Sequence, residues 1–295
     1  MQREPGAAVA DADTERRFGG VTRLLGAQAH ARLRAARIAV VGVGGVGSWA
    51  AEALARCGVE RITLIDLDHV AESNANRQIQ ALGDEFGKAK VVAMAQRIDA
   101  INPRARVTCI EEFISEDNVS RLIRDLDLLL DCIDQVSAKA ALIAHACSIG
   151  LRVITCGAAG GRTDPTRIRC ADLAHALGDP LLSKVRYRLR RRHHFPRETL
   201  KRRPLFGVDA IYSDEPVRGP IHSPLSLSSI RLGDHEAADP APSLPSSASS
   251  GRSSSAEGVR VQSGLACAGY GSSVAVTAPF GFAAAARAID RITQA

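Results

Sequence analysis

Residues 40–68 read VVGVGGVGSWAAEALARCGVERITLIDLD, and this stretch decides the fold. The apolar run over residues 37–42 has the length and β-branched content of a buried strand. It breaks into Gly42, Gly44 and Gly47, with Gly45 as an extra glycine. In this G-x-G-x-x-G spacing the first glycine permits a tight turn and the second lets a phosphate approach the backbone. The third lets the following helix pack on the strand. A helix predicted over residues 45–57 turns its N-terminal N–H groups toward that phosphate. A second strand, residues 61–66, ends on Asp66, nineteen residues after Gly47, with Asp68 just beyond. A carboxylate at that place accepts hydrogen bonds from ribose hydroxyls. The order of strand, glycine loop, helix, strand and acid predicts a nucleotide-binding βαβ unit.

Outward from this unit the alternation continues. A helix is predicted at about 88–100, stopped by Asn102 and Pro103, since the residue before a proline is driven out of the helical region. A strand in RVTCIEEF follows, then a short helix from Ser115, a strand over 127–134 and a helix over 137–149. The strand LRVITCG comes last. Strands alternating with helices predict an α/β fold: a doubly wound, mostly parallel sheet with helices on both faces. Past Gly157 the pattern loosens into a C-terminal extension of strands and a buried helix. Four segments are expected: a flexible N-terminus over 1–15, a nucleotide-binding domain over 16–215, a disordered insertion over 216–258, and a C-terminal part of the same domain over 259–295. The insertion holds twelve Ser and six Pro in 43 residues, too little apolar surface to order itself.

Composition narrows the class further. The chain has 295 residues, 45% of them hydrophobic, and a formal net charge of +6. That length suits one large α/β domain. The charge is concentrated. Residues 184–203, KVRYRLRRRHHFPRETLKRR, carry ten Lys or Arg and one acid, so the rest of the chain is net negative. One basic patch on a mildly acidic body predicts a polyanionic partner. Arg186, Arg188, Arg190, Arg191 and Arg192, interleaved with Tyr187, His193, His194 and Phe195, suit an RNA backbone and an unstacked base. Seven cysteines stand without any C-x-x-C pair, which predicts neither a zinc ribbon nor a disulfide framework and fits a reducing cytoplasm. The opening residues MQREPGAAVADADTERR lack the apolar centre of a signal peptide. Residues 261–286 carry no charge and have the length of a membrane span, but they contain Pro279 and several glycines. A helix buried in the core is the expectation, with no stable membrane span.

NAD and ATP both present ribose and phosphates to such a loop, and the residues beyond the second strand bear on the choice. DLDHVAESNANRQIQ puts Asn74, Asn76, Arg77 and Gln78 past the carboxyl end of that strand, the edge where open α/β sheets bind ligands. A guanidinium grips a phosphate with two donors, and Lys90, opening the next helix, reaches phosphate as a point charge. Asp134, closing the fourth strand in DCIDQ, can hold magnesium between phosphates. Arg77, Lys90 and Asp134 together make a triphosphate clamp rather than a nicotinamide site.

The motifs GVGGVGSWAAEALAR, LIDLD, NANRQI, GKAK and DCID resemble the adenylating-enzyme superfamily, which includes ThiF, MoeB and the ubiquitin activators. A narrower resemblance, to the bacterial tRNA threonylcarbamoyladenosine dehydratases, rests on RFGGVTRLLG, AALIAHA, GAAGGRTDPTRIRCADL, DPLLSKVRYRLR and APFGF. It covers about residues 16–291, apart from the insertion, which departs from the family pattern. The resemblance implies an ATP- and magnesium-dependent enzyme that adenylates the threonyl carboxylate of a modified adenosine beside the anticodon. Ring closure then expels AMP, with net loss of water. It assigns Asp66 to the ribose, Asn74 to orienting the triphosphate, Arg77 and Lys90 to the phosphates and Asp134 to magnesium. It also implies a homodimer in which Arg17 or Arg23 enters the partner's site, and it hints at a cysteine desulfurase system as a partner.

Three rival activities stay open. An activator of a ubiquitin-like or sulfur-carrier protein would need an accessible thioester cysteine, for which Cys267 in SGLACAGYG is the candidate. The paired zinc motifs common among sulfur-carrier activators are missing. A dehydrogenase is disfavoured by the charged clamp. A non-catalytic nucleotide-binding RNA adaptor would use the basic segment alone.

Overall fold

A computed structural model describes residues 13–199, 202–219 and 270–294. Its helices are α1 (Thr14–Leu25), α2 (Ala27–Ala35), α3 (Gly47–Arg56), α4 (Lys90–Ile101), α5 (Val119–Leu122), α6 (Val136–Ser148), α7 (Pro180–Arg192) and α8 (Val274–Thr293). Its strands are β1 (Arg37–Val41), β2 (Arg61–Ile65), β3 (Arg106–Ile110), β4 (Leu128–Asp131), β5 (Arg152–Cys156), β6 (Ile168–Asp172) and β7 (Asp209–Ser213).

The seven strands form one sheet in the order β3-β2-β1-β4-β5-β7-β6. Every pairing is parallel except that of β6 with β7. The chain winds outward from β1 to β3, then crosses back to place β4 on the other side of β1. The carboxyl ends of β1 and β4 therefore flank the point where the winding reverses, the usual ligand crevice of such sheets.

Successive strand residues point to opposite faces, and β1 shows the consequence. Ile38 and Val40 enter one apolar core with Leu54 of α3, Met94 of α4 and Phe280 of α8. Ala39 and Val41 enter a second core with Leu142 of α6 and Leu182 of α7. Both faces of the sheet are thus covered, which is why β1 and β4 read as unbroken apolar runs rather than alternating ones.

The part of the uncharged C-terminal run from Val274 onward lies in α8, which packs against α3. A Cβ on Gly281 would stand 2.5 Å from the Val46 carbonyl oxygen and 2.8 Å from the Ala50 nitrogen, so glycine lets the two helices cross closely. Among the described residues no helix is long and apolar enough to cross a membrane. The segments 1–12, 220–258 and 259–269, with Cys267, lie outside the described residues.

Two element boundaries depart from expectation. The short helix expected from Ser115 begins at Val119. The Asn118 side chain accepts from the Ser115 N–H at 2.8 Å and donates to the Phe113 carbonyl at 2.7 Å, holding residues 115–118 as a turn. The strand expected over 127–134 stops at Asp131. Asp134 therefore lies in the turn before α6, not at a strand end.

Candidate nucleotide site

The glycine loop is built around two close approaches. Gly42 has φ +86°, and a Cβ there would meet the Cys132 carbonyl at 2.9 Å. A Cβ on Gly47 would stand 1.8 Å from the Gly42 oxygen, so only glycine lets α3 start against the turn. Above Gly44 nothing lies within 4 Å of a Cβ position, leaving that part of the loop open. The backbone N–H groups of Gly44, Gly45 and Val46 have no partner among the described residues. Such an open set of donors ahead of a helix suits an anion.

Asp66 stands at the end of β2 and ties the loop down. Its carboxylate accepts from the Val43 N–H at 2.7 Å and from the Asp68 N–H at 2.9 Å. Burial pushes its pKa above the usual carboxylate value, against the pull of the Lys90 charge and of these two bonds. Lys90, the first residue of α4, is buried, and its Nζ lies 2.7 Å from Asp68 Oδ2.

Arg77 reaches the loop from the opposite side. Its Cγ and Cδ lie 3.3 Å from a Cβ position on Gly45, so the arginine stem lies across the glycines. Its guanidinium donates to the Ser73 carbonyl at 2.8 Å and to Asn76 Oδ1 at 2.9 Å. The Arg77 carbonyl accepts from the Trp49 indole N–H at 2.9 Å and from the Thr277 hydroxyl at 3.4 Å. Asn74 builds the turn that carries Arg77: its Oδ1 accepts from the Ala71 N–H at 3.2 Å, and its carbonyl accepts from the Arg77 and Gln78 N–H groups. Gln78 is buried and accepts from Gln80.

The turn over residues 131–134 completes the rim. The Cys132 N–H donates to the Val41 carbonyl at 2.8 Å, and the Cys132 carbonyl packs on Gly42. Asp134 is half-buried, and its carboxylate has neither hydrogen bond nor ion pair among the described residues. The carboxyl ends of β1, β2 and β4 thus gather the glycine loop, Asp66, Asp68, Arg77, Lys90 and Asp134 onto one edge of the sheet.

Sequence patterns missed several residues of this edge. Gln80 is buried and donates from Nε2 to the Val43 carbonyl at 2.9 Å, while its Oε1 has no partner. Ser48 Oγ is likewise buried and unpaired. Lys139 and Asp131, both fully buried, form an ion pair at 2.9 Å just beneath the turn. A lysine inside the apolar run of α6 was the available signal.

Both N-terminal arginines are placed. Arg17 donates to the Ala100 and Ile101 carbonyls at 3.3 and 2.8 Å, satisfying the C-terminus of α4. Arg23 is exposed and has no partner among the described residues.

The basic segment divides. Arg186 is buried and donates to the Ala176 carbonyl, which corrects its expected place on an RNA-binding surface. Arg188 pairs with Glu116 at 3.1 Å. Arg190 donates to the Pro196 carbonyl at 3.2 Å and lies 5.3 Å over the Phe206 ring. Arg191 and Arg192 are exposed beside Tyr187, whose hydroxyl accepts from Arg191 at 2.8 Å. A groove of about 340 Å³ there is lined by Val136, Lys184, Tyr187, Arg188, Arg191 and Arg192. Val136 is the first residue of α6, two beyond Asp134, so the groove opens near the nucleotide edge.

The described thiols are poorly suited to nucleophilic work. A hydrogen bond to Cys156 and burial push the Cys132 thiol well up, and burial pushes Cys147 up to about 11. Cys57, Cys109 and Cys170 are raised by burial too.

Known proteins carry the same architecture. The chain is 40% identical over 278 residues to the tRNA threonylcarbamoyladenosine dehydratase of Escherichia coli strain K12, covering 94% of this chain and 93% of that one. It is 39% identical over 282 residues to the protein of that name from Haemophilus influenzae, covering 95% and 94%. Two crystal structures of the E. coli dehydratase superpose on it. The one in complex with ATP has a TM-score of 0.76 and 36% identity, and the one in complex with AMP has 0.77 and 38%; each covers 96% of both chains. Residues 20–294 match the ThiF family. The chain belongs to the ThiF family.

Proposed function

We propose that this protein is an ATP-dependent dehydratase that cyclises N6-threonylcarbamoyladenosine in tRNA. The observation that carries this reading is the edge where the glycine loop, Arg77, Lys90 and the unpaired Asp134 carboxylate meet, with a basic groove beside it. The long match to dehydratases crystallised with ATP and with AMP supports it.

A carboxylate is a poor acyl donor because its leaving group would be oxide. In the proposed reaction the threonyl carboxylate oxygen attacks the α-phosphorus of ATP and pyrophosphate leaves. A nucleophilic atom of the same modified nucleoside then attacks the activated carbonyl carbon. The C–O bond to AMP breaks, a ring closes, and the net change is loss of water. The work of the protein is positioning and charge neutralisation, not covalent catalysis.

Each residue has a part in this. The free N–H groups of Gly44, Gly45 and Val46 receive phosphate oxygens. Asp66 and Asp68 face the ribose side. Arg77 and Lys90 move their hydrogen bonds from Asn76 and Asp68 to phosphate. Magnesium is usually held by one or two carboxylates together with phosphate oxygens, and the unpaired Asp134 fits that role. When bound, the metal neutralises charge on the phosphates. The orphaned Gln80 Oε1 and Ser48 Oγ fit a ligand that completes the pocket's hydrogen bonding.

Arg191, Arg192 and Tyr187 bind the tRNA, in the cytoplasm. The enzyme acts as a homodimer. Arg17 is occupied as a helix cap, so Arg23 is the arginine free to enter a partner's site.

The test is to incubate the protein with tRNA bearing the modified nucleoside and with ATP and magnesium, digest to nucleosides and weigh the product. A product lighter by one water, with one AMP released per ring, is the expected result. An unchanged nucleoside, with pyrophosphate exchange driven only by a small protein, would overturn it in favour of a protein-activating enzyme.

A further inference from the structure

Lys139 and Asp131 are charged and fully buried, and Lys139 lies outside every nucleotide motif, while Asp131 opens the DCID stretch without an assigned role. Both have 0% side-chain exposure, and Lys139 is among the largest fully buried side chains of the described residues. Burial pushes the Asp131 carboxyl above its usual range, while the Lys139 charge and the bonds from Thr155, Lys139 and Ile133 pull it back. Stability alone gives no reason for such a pair. Replacing a buried ion pair by apolar groups of similar volume is often neutral or stabilising.

The contacts point to a local task. Lys139 Nζ lies 2.9 Å from Asp131 Oδ2 and donates to the Ile133 carbonyl at 2.9 Å and the Asp131 carbonyl at 3.3 Å. Asp131 Oδ1 accepts from the Ile133 N–H at 3.2 Å, and Oδ2 accepts from the Thr155 hydroxyl at 2.6 Å. One ammonium and one carboxylate thus hold three backbone groups of the turn leading into Asp134. They also tie that turn to β5 through Thr155. A trans peptide points its N–H opposite its C=O. With the Ile133 carbonyl drawn toward Lys139, the Asp134 N–H is turned away from the buried pair. That N–H has no partner among the described residues.

We propose that Lys139, locked by Asp131 and Thr155, is a positioning residue that sets the Asp134 carboxylate for magnesium-bound ATP. The inference rests on the adenylating reading above, which makes Asp134 the metal-holding group. Without the clamp the turn keeps its place on Gly42 but loses the orientation of its last peptide. Groups that orient a metal ligand from behind commonly change metal affinity by 10–100-fold when removed.

The chain contains one tryptophan, Trp49, and its indole bonds the Arg77 carbonyl. Its fluorescence therefore reports ATP binding without turnover. The experiment titrates magnesium against ATP binding in the parent, K139M, K139R and T155V, with thermal melts and steady-state kinetics alongside. In K139M the magnesium concentration for half-maximal binding should rise by about 10–100-fold and kcat should fall. K139R, which keeps the donors, should recover part of both. If K139M fails to fold, T155V decides, since it keeps the ion pair and loosens Asp131. A same-direction rise of about tenfold is expected there. A folded K139M or T155V with parental magnesium dependence and kcat, changed only in melting temperature, would overturn the positioning role. A parent that binds no ATP at any magnesium concentration would instead overturn the adenylating reading itself.

Discussion

At the scale of the residue, Asp134 concentrates the proposed chemistry. It stands at the nucleotide edge with no ionic or hydrogen-bonding partner among the described residues, whereas Lys90 and Arg77 lean on Asp68 and Asn76. D134N keeps the shape and removes the charge. Its kcat should fall by about 100-fold or more, the scale seen when one electrostatic group facing a transition state is removed. Binding of tRNA should be unchanged in a filter assay, and a loss of RNA binding in step with turnover would count against the assignment. The sequence made Gly42, Gly47, Asp66, Lys90 and Arg77 visible because each belongs to a local pattern: a loop spacing, a strand end or a helix start. It hid Gln80, Lys139 and Asp131, whose roles depend on which strands become neighbours. Arg186 was misjudged for a related reason. Charge density along a chain does not show which side of α7 meets the core.

At the scale of the element, the crossing of α3 and α8 supports the loop from behind. Val46, which precedes α3, lies under Gly281, and Trp49 meets Phe282 edge-on with ring centroids 5.7 Å apart. G281A places a methyl 2.5 Å from the Val46 carbonyl oxygen, so the helices must part. Urea melts should show a loss of about 1–3 kcal/mol, the usual cost of overpacking. ATP affinity should drop as well, because the displaced residues border the phosphate loop. The buried helix itself was legible in sequence, since an uncharged run broken by Pro279 and glycines suits a core better than a bilayer. Its partner was not legible: α3 and α8 are more than two hundred residues apart in the chain, and periodicity carries no information about such pairings. The strand before Asp134 was read too long for the converse reason. Apolar Ile133 extends the hydrophobic run, but the turn on Gly42 ends the strand at Asp131.

At the scale of the whole molecule, two sets of arginines do different work. Those of α8 fasten the fold. Arg287 and Arg291 each reach Asp209 of β7 with two nitrogen–oxygen hydrogen bonds of 2.7–3.1 Å. Burial pushes the Asp209 carboxyl up, but the bonds from Arg291 and Arg287 outweigh it and hold its pKa below the usual value. A depressed folded-state pKa gives stability that is present above the unfolded value, about 3.9 for Asp, and lost as pH falls through the folded one. D209N should therefore melt below the parent at neutral pH, and the gap should close as pH falls below about 4. A gap that persists in acid would show that packing rather than charge is responsible. Arg191 and Arg192 of α7 face outward instead. R191A/R192A should weaken tRNA binding and lower the salt slope by roughly one for each phosphate that is no longer neutralised, with ATP binding unaltered. The family, the sheet and the nucleotide edge all follow from local signals, while the positions of Arg17 and Arg186 required the packed molecule. The most direct measurement follows oxygen. With the threonyl carboxylate of the tRNA nucleoside labelled by oxygen-18, ring closure through an acyl adenylate should leave one label in the phosphate of AMP. Label found in inorganic phosphate or in water, with unlabelled AMP, would contradict activation of the carboxylate by adenylation.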